Sequence, residues 1–269
     1  MPIVIWTHSS GGPKEYVWNQ FIYHGTKNLL EAGIGVMYVD NFCHRGARET
    51  WRDQSKVPLI NGAIDAIMAY KLLQSHSRSN GKFGITGHSR GGNNSLYVAD
   101  VKFTSLFLEG TRGFDAILPE AAECKLAGFF DKPELTSNTK LLYVHGAADD
   151  YTLPNHCEDY VKKIKSEPGK VEIDLKKGWY HGFHFDQKPK KYKAMTVHNC
   201  PAFFVDNDGF VVGNEWPDMV LTKHKLFPSM DAFYELAQVD PNKLWKKTFK
   251  ILKKEKCLER GVTIGGGHM

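Results

Sequence analysis

The sequence predicts an α/β fold: a mostly parallel sheet with helices on both faces, followed by a C-terminal extension. Two observations lead to this prediction. Short apolar runs rich in β-branched residues alternate with longer stretches of helical spacing, and strands that alternate with helices in this way form parallel sheets with right-handed crossovers. The chain of 269 residues is also 42% hydrophobic, which suits one large domain with an appendage.

Six apolar runs are predicted to be the strands of the sheet. The run at residues 34–40 is apolar almost throughout, as expected for a strand that is buried on both faces. The six predicted strands are residues 2–8, 34–40, 82–88, 114–121, 140–146 and 170–177. The helices predicted between them are residues 16–32, residues 58–75, a helix from about residue 93, and residues 155–166.

Residues 187–269 break the alternation of strands and helices. A short hairpin is predicted there, with Asp208-Gly209 as its turn. A helix is predicted over about residues 241–256, where lysines alternate with apolar residues. This pattern indicates an amphipathic surface helix rather than a surface for nucleic acid or membrane. We expect a core over residues 1–186 and an extension over residues 187–269 that packs on it.

Charge and hydropathy exclude several classes of protein. The formal net charge of +5 arises from 35 Lys and Arg against 30 Asp and Glu, a mild excess that predicts no nucleic-acid partner. No apolar run approaches the ~20 residues of a membrane-spanning helix. No secretory signal is visible either. A cytoplasmic location is therefore favoured, and a periplasmic or secreted location stays open in case a signal segment precedes this chain.

The five cysteines are scattered, without a CxxC motif or a close Cys/His cluster. This pattern predicts no metal site, and nothing in the sequence predicts a cofactor. Most of the cysteines are expected to be buried small apolar side chains. A disulfide, for instance between Cys200 and Cys257, stays open for an oxidising compartment, because spacing alone does not establish a bridge.

Residues 87–91, Gly-His-Ser-Arg-Gly, fit the pattern G-x-S-x-G. A predicted strand enters this segment and a predicted helix leaves it. Ser89 therefore lies on a sharp turn that exposes its hydroxyl above the carboxyl end of the sheet, the geometry of a nucleophile. The alternative is a structural serine in a Gly-rich loop. A serine hydroxyl is a weak nucleophile by itself, so the nucleophile hypothesis needs a base elsewhere in the chain.

An acid and a histidine follow Ser89 in the order that this arrangement requires. His181 comes after the last predicted strand, and His184 is an alternative three residues further on. Asp149 and Asp150 come after the preceding strand. We favour Asp149 as the acid that orients the base and His181 as the base itself, with Asp150 and His184 left open.

Two backbone N–H groups are candidates for binding an oxyanion. One belongs to Arg90, the residue after the candidate nucleophile. The other belongs to Ser10, in the Gly-rich segment after the first strand, where small residues allow the main chain to approach a ligand. The alternative for the second segment is an ordinary Gly-rich turn.

Five segments together resemble the dienelactone hydrolase branch of the α/β-hydrolases. They are THSSGGP, VDNFCHRGARE, GITGHSRGG, YVHGAADDYTLP and WYHGFHFD, and they span about residues 2–186. The resemblance implies an α/β-hydrolase fold and a metal-independent hydrolase that cleaves a small carboxylic ester or lactone. That family carries a cysteine nucleophile, so Ser89 points to a serine esterase. The family also has strands before the oxyanion strand. We expect that the sheet is smaller here, or that these strands are absent or supplied elsewhere.

The resemblance also implies a role for Arg45, which follows the second predicted strand. An arginine nearby binds a substrate carboxylate in that family, and a guanidinium suits this task. The alternative is an ion pair with Asp53 or Glu49. Two other functions stay open: a peptidase of the prolyl-oligopeptidase type, and a non-catalytic binding protein that kept the fold. The sequence leaves the oligomeric state open.

Overall fold

The computed structural model describes most of the chain up to residue 212 and parts of residues 243–265. The described residues are 1–108, 112–125, 129–130, 132–185, 187–200, 203–206, 209–212, 243, 246, 249–250, 252–253 and 256–265. The predicted helix over about residues 241–256 therefore lies partly outside them, as does Asp208 of the predicted hairpin turn.

A six-stranded parallel sheet forms the centre of the molecule, in the order β2-β1-β3-β4-β6-β7. Its strands are β1 (Ile3–Thr7), β2 (Gly35–Val39), β3 (Phe83–His88), β4 (Ala116–Glu120), β6 (Lys140–Gly146) and β7 (Val171–Lys176). Each agrees with a predicted strand to within two residues. The predicted burial of residues 34–40 on both faces is wrong, because β2 lies at the edge of the sheet and its Tyr38 is exposed. The α/β prediction is therefore confirmed. Since all six strands are parallel, their carboxyl ends meet along one edge, where ligands bind in such sheets.

Helices cover both faces of this sheet. They are α1 (Glu15–Trp18), α2 (Gln20–Glu31), α3 (Leu59–Gln74), α4 (Arg90–Tyr97), α5 (Val101–Ser105) and α6 (Pro154–Lys162). Alternate residues of β1 face opposite ways: Ile5 is buried in one core with Ile67 of α3, while Trp6 lies against Gly25 of α2. Two 3-10 turns, Cys43–Arg45 and Gln54–Lys56, lie on the connection from β2 to α3.

The predicted helix over residues 16–32 is wrong in one respect, because Asn19 divides it into α1 and α2. The backbone of Asn19 is extended (φ −80°, ψ 110°), and its side chain accepts a hydrogen bond from Phe21 N at 3.0 Å. Asn is a favoured N-cap since its side-chain oxygen satisfies a free N–H of the first turn. The apolar periodicity continued through the break and did not reveal it.

The described residues of the extension contribute strands to two small sheets. β8 (Lys190–Thr196) pairs antiparallel with β11 (Glu259–Ile264). β9 (Phe203–Asp206) and β10 (Gly209–Val212) form the predicted antiparallel hairpin, and β9 also pairs with β5 (Phe129–Phe130). Phe249 and Leu252 belong to the main hydrophobic core, whereas Lys250 is exposed. At these described positions the helical segment is amphipathic, as predicted.

Four of the five cysteines form two disulfides. Cys200, which follows β8, is bonded to Cys257, which precedes β11. Cys124, after β4, is bonded to Cys157 of α6. The first bridge is the pair that the sequence left open, and the second was not anticipated. Cys43 is free and exposed. Among the described residues, no helix is long and apolar enough to cross a membrane.

Candidate active site

Ser89 occupies a strained turn between β3 and α4. Its φ of 57° and ψ of −114° lie in a region that residues other than glycine rarely adopt. Such strain costs on the order of 1–3 kcal/mol and clusters at active sites. The turn is tight because Gly87 and Gly91 both approach β1: a Cβ on either residue would lie 2.5 Å and 2.3 Å, respectively, from Thr7 O. This is the geometry of a nucleophile elbow.

Asp149 and His181 form a buried hydrogen-bonded pair. His181 Nδ1 lies 2.8 Å from Asp149 Oδ2, and the backbone N–H groups of Tyr151 and Thr152 donate to Asp149 Oδ1 at 2.8 and 3.0 Å. Burial by itself would raise the pKa of Asp149, but the charge of His181 and hydrogen bonds from His145 and His181 hold it well below its ordinary value. Asp149 is therefore an anion that orients the imidazole.

The hydrogen bonds also assign the protons of His181. Because Nδ1 faces the Asp149 carboxylate, that nitrogen carries the proton and Nε2 is left as a base. No hydrogen bond joins Ser89 Oγ to His181 in the described part of the chain. Such contacts often tighten only when substrate binds. The ring centroid of His88, the residue before Ser89, lies 4.6 Å from that of His181. The turn at Ser89 is therefore in contact with the histidine loop, residues 177–185 after β7.

Asp150 points away from His181 and towards the extension. It accepts hydrogen bonds from Thr263 N at 2.6 Å and Thr263 Oγ1 at 2.8 Å, and Lys191 Nζ lies 2.7 Å away. On the other side of the site, Gly265 N donates to His181 O at 3.0 Å. Residues after 186 thus bind two loops of the site. One is the acid loop, residues 147–153 between β6 and α6, and the other is the histidine loop. The geometry favours Asp149 over Asp150, and the catalytic role of Asp149 remains a prediction.

His145 is a part of this network that sequence reasoning missed. Its Nε2 lies 2.9 Å from Asp149 Oδ2 and 2.8 Å from Thr152 O, both acceptors. Nε2 therefore carries the proton, and Nδ1 accepts from the hydroxyl of Tyr143. His145 is the penultimate residue of β6, where the period-two pattern of a strand does not distinguish a functional side chain from a core one.

Ser10 lies on the loop after β1, close to the elbow. Together with Ser89 and Arg90 it lines a cavity of about 30 Å³. The loop is fixed from behind by Glu15, a buried carboxylate that accepts hydrogen bonds from Ser9 N at 3.0 Å and from the Ser9 hydroxyl. Burial raises the pKa of Glu15, and its hydrogen bonds with Ser9 oppose that effect. Sequence reasoning did not single out Glu15.

The extension provides one wall of the same cavity. Met195 and Thr196 of β8 and the adjacent Val197 line it together with Ser89. The hydroxyl of Thr196 donates to Tyr151 O at 2.9 Å, which joins this wall to the acid loop. Residues after 186 therefore shape the site, a contribution that the sequence left undecided.

Comparisons with known proteins agree with this architecture. No protein-family model and no curated protein matches the sequence. Among solved structures, Est1E from Butyrivibrio proteoclasticus with bound ferulic acid is similar over 70% of this chain and 83% of its own, at 15% identity and a TM-score of 0.50. The chain has an α/β-hydrolase fold. XC6422 from Xanthomonas campestris, described as an α/β serine hydrolase without a lid, is similar over 69% of this chain and 75% of its own, at 16% identity and a TM-score of 0.44.

Arg45 does not line the cavity beside Ser89 in this α/β-hydrolase fold. Its guanidinium forms a two-pronged ion pair with Asp65 of α3, with N–O distances of 2.6 and 2.9 Å. Arg45 therefore forms an ion pair, but with Asp65 and not with Asp53 or Glu49. The reason is that the turn after β2 directs its side chain to α3. A substrate-binding role for Arg45 remains a prediction.

His184 also lies away from the acid loop of the hydrolase fold. It is buried beside His88, with ring centroids 4.2 Å apart, and its Nδ1 is 3.9 Å from Glu120 Oε2. Burial and the charge of His181 lower the pKa of His184 to about 3, and burial raises the pKa of Glu120 to about 7. His184 is therefore neutral at neutral pH, and Glu120 is neutral below about pH 7.

Replacing Glu120 with glutamine is expected to stabilise the protein at alkaline pH. The carboxyl has a pKa of about 7 in the folded protein against an ordinary value of 4.5. Its contribution to stability is therefore complete below pH 4.5 and is lost as the pH rises through 7. Relative to the parent, Glu120→Gln should gain about 3 kcal/mol of unfolding free energy between pH 4 and pH 8.

Urea unfolding at both pH values measures this gain. Glu167→Gln is the control, since the side chain of Glu167 is 68% exposed and its replacement should give no such pH-dependent gain. An equal response of the two variants would contradict the assignment of a raised pKa to Glu120.

Proposed function

We propose that this chain is a serine hydrolase that cleaves a small carboxylic ester or lactone through an acyl-enzyme, as a serine member of the dienelactone hydrolase family. The observation that carries the proposal is the buried Asp149–His181 pair, in which His181 Nδ1 lies 2.8 Å from the Asp149 carboxylate. The candidate nucleophile Ser89 lies on a strained turn of the same site. A binding protein has no need of a strained serine next to an oriented base.

In the first half of the reaction, Ser89 Oγ attacks the carbonyl carbon of the ester. The new bond joins Oγ to that carbon, the Oγ proton passes to His181 Nε2, and the electron pair of the carbonyl double bond moves to its oxygen. The N–H groups of Ser10 and Arg90 donate to this oxyanion. Asp149 stabilises the imidazolium without taking its proton.

The intermediate then collapses, which restores the carbonyl and breaks the bond to the alcohol oxygen. His181 gives its proton to the departing alcohol. In the second half, His181 takes a proton from a water molecule as the water attacks the acyl-enzyme. The collapse of the second intermediate releases the carboxylic acid and returns the proton to Ser89. Every proton transfer uses a residue of this chain, and the steps need no metal or cofactor.

The two disulfides support an oxidising compartment as the working location, instead of the cytoplasm that the sequence favoured. One bridge joins the loop after β4 to α6, and the other closes the ends of β8 and β11. Disulfides persist where thiols are not kept reduced, as in the periplasm or outside the cell.

Labelling with a fluorophosphonate tests the proposed function. We expect one adduct on the parent protein by intact mass, and none on Ser89→Ala or His181→Ala, because only an activated serine reacts. Circular dichroism of all three proteins controls for folding. A folded parent that takes no label, or labelling that survives in Ser89→Ala, would contradict the proposal. Turnover of an aminoacyl anilide with no turnover of esters would point to a peptidase instead.

A further inference from the structure

The side chain of Arg90 is a buried cation next to the candidate nucleophile. The residue is 3% exposed. Its Nη1 donates to Val57 O at 2.9 Å and its Nη2 donates to Gln54 Oε1 at 2.8 Å. Its Nε has no hydrogen-bond partner in the part of the chain that the structure describes. Both known partners are neutral. No carboxylate of the described residues pairs with this guanidinium, in contrast to Arg45, which Asp65 neutralises.

Burying an unpaired charge is strongly unfavourable, so a folded protein rarely keeps one without a function. Burial lowers the pKa of Arg90 to about 9, and the nearby Tyr151 and Tyr97 act in the opposite direction. The side chain therefore remains positively charged at neutral pH. Arg90 follows Ser89 directly, so the charged side chain starts from the strained turn between β3 and α4.

Gln54 connects this charge to the rest of the site. Its Oε1 accepts from Arg90, and its Nε2 donates to Ser10 Oγ at 3.0 Å and to the Tyr151 hydroxyl at 3.2 Å. Arg90, Gln54, Ser10 and Ser89 all line the same cavity of about 30 Å³. The guanidinium is thus linked to Ser10, one of the two candidate oxyanion donors, through a single side chain, Gln54.

We propose that the Arg90 side chain supplies a fixed positive charge that stabilises the oxyanion formed when Ser89 attacks the ester carbonyl. The inference rests on the proposed function and adds to it a charge that acts beside the two backbone donors. A neutral ester carries no negative charge before attack, so the interaction strengthens only as the transition state forms. A preorganised charge in a water-poor site is far more effective than one in water.

A carboxylate on the substrate is the other anion that this charge could neutralise. The cavity favours the oxyanion, because 30 Å³ is room for on the order of two water-sized groups. That volume suits a carbonyl oxygen better than an acyl chain that ends in a carboxylate. The experiment therefore compares two esters with acyl chains of equal length, p-nitrophenyl hexanoate and p-nitrophenyl hydrogen adipate, of which only the second is charged.

Three substitutions separate charge from hydrogen bonding. Arg90→Lys keeps the charge, Arg90→Gln keeps a donor without charge, and Arg90→Met keeps neither. For the neutral ester we expect kcat to fall by about 10²–10³-fold in the Gln and Met variants, with KM little changed, and by less than about 10-fold in the Lys variant. The loss should be the same for both esters and should not follow the melting temperatures of the variants.

The outcomes are distinct. A loss confined to the charged ester would assign Arg90 to a substrate carboxylate and overturn the proposal. An activity loss that follows the melting temperature regardless of charge would make Arg90 structural and would also overturn it. Labelling of the parent at Ser89 is measured first: an unlabelled parent contradicts the proposed function and this inference together, whereas a labelled, active parent with a fully active Arg90→Met variant contradicts this inference alone.

Discussion

Asp149→Asn is expected to lower kcat by about 10⁴-fold, the effect of removing the acid that holds a catalytic histidine in its tautomer. The hydrogen bonds determine how the new amide will lie. The N–H groups of Tyr151 and Thr152 require an acceptor at Oδ1, so the amide oxygen takes that place and the NH₂ group faces His181. His145 Nε2, which also donates to Oδ2, keeps Thr152 O as its acceptor. His181 Nδ1 must then accept a hydrogen bond, which moves the ring proton to Nε2 and removes the base.

Asp150→Asn is the matched control, because it makes the same change one residue away. Asp150 binds Thr263 and Lys191 and not the histidine, so kcat should stay within about threefold while the melting temperature falls modestly. Steady-state kinetics on a short p-nitrophenyl ester measures both variants. Equal losses in kcat would contradict the assignment of Asp149 as the orienting acid.

Gly87→Ala is expected to lower the unfolding free energy by about 3 kcal/mol or more and to abolish labelling of Ser89. A Cβ at this position would lie 2.5 Å from Thr7 O and 2.8 Å from Gly91 C, both backbone atoms. These backbone atoms belong to a central strand and to the first turn of α4. They can make room for the methyl group only if α4 moves away from the sheet. The strained turn of Ser89 depends on that contact, so stability and reactivity should be lost together.

Gly84→Ala provides the comparison within the same strand. The nearest atoms to its new Cβ would be Val4 Cγ2 at 3.3 Å and Ala116 O at 3.4 Å, and the Val4 side chain has room to shift. The expected loss is about 1 kcal/mol, with labelling retained. Urea unfolding and fluorophosphonate labelling measure both variants. If Gly84→Ala proved as damaging as Gly87→Ala, close backbone packing at the elbow would not be the cause.

The positions of the strands were predicted correctly because the apolar pattern of a strand is a local property of the sequence. The apolar runs located all six strands, but they did not specify burial. The run over residues 34–40 predicted a strand buried on both faces, whereas β2 is an edge strand and its Tyr38 is exposed. The helix break at Asn19 was missed since apolar spacing continued across it. The break is the extended backbone of Asn19, whose side chain accepts from Phe21 N and so begins a new helix. Composition and periodicity do not report that hydrogen bond.

The candidate site was predictable where a motif carries its own geometry. Ser89 was found because two glycines flank it in a strand–turn–helix context. Glu15, Gln54 and His145 carry no such signal. Each is recognised only by its hydrogen bonds to residues on other segments of the chain. Gln54, for example, donates to Ser10 and to Tyr151, which are 44 and 97 residues away in sequence.

The sequence by itself determined the fold class and the edge of the sheet where chemistry-bearing residues gather, because both follow from local apolar patterning and from the parallel direction of the strands. Only the tertiary structure decided which of two adjacent aspartates faces His181 and where Arg45 finds its counter-ion. It also decided that Arg90 is buried with no counter-ion among the described residues. The physical reason is common to all three. Burial and hydrogen-bond direction depend on atoms supplied by distant segments, and no local pattern specifies which segments will meet.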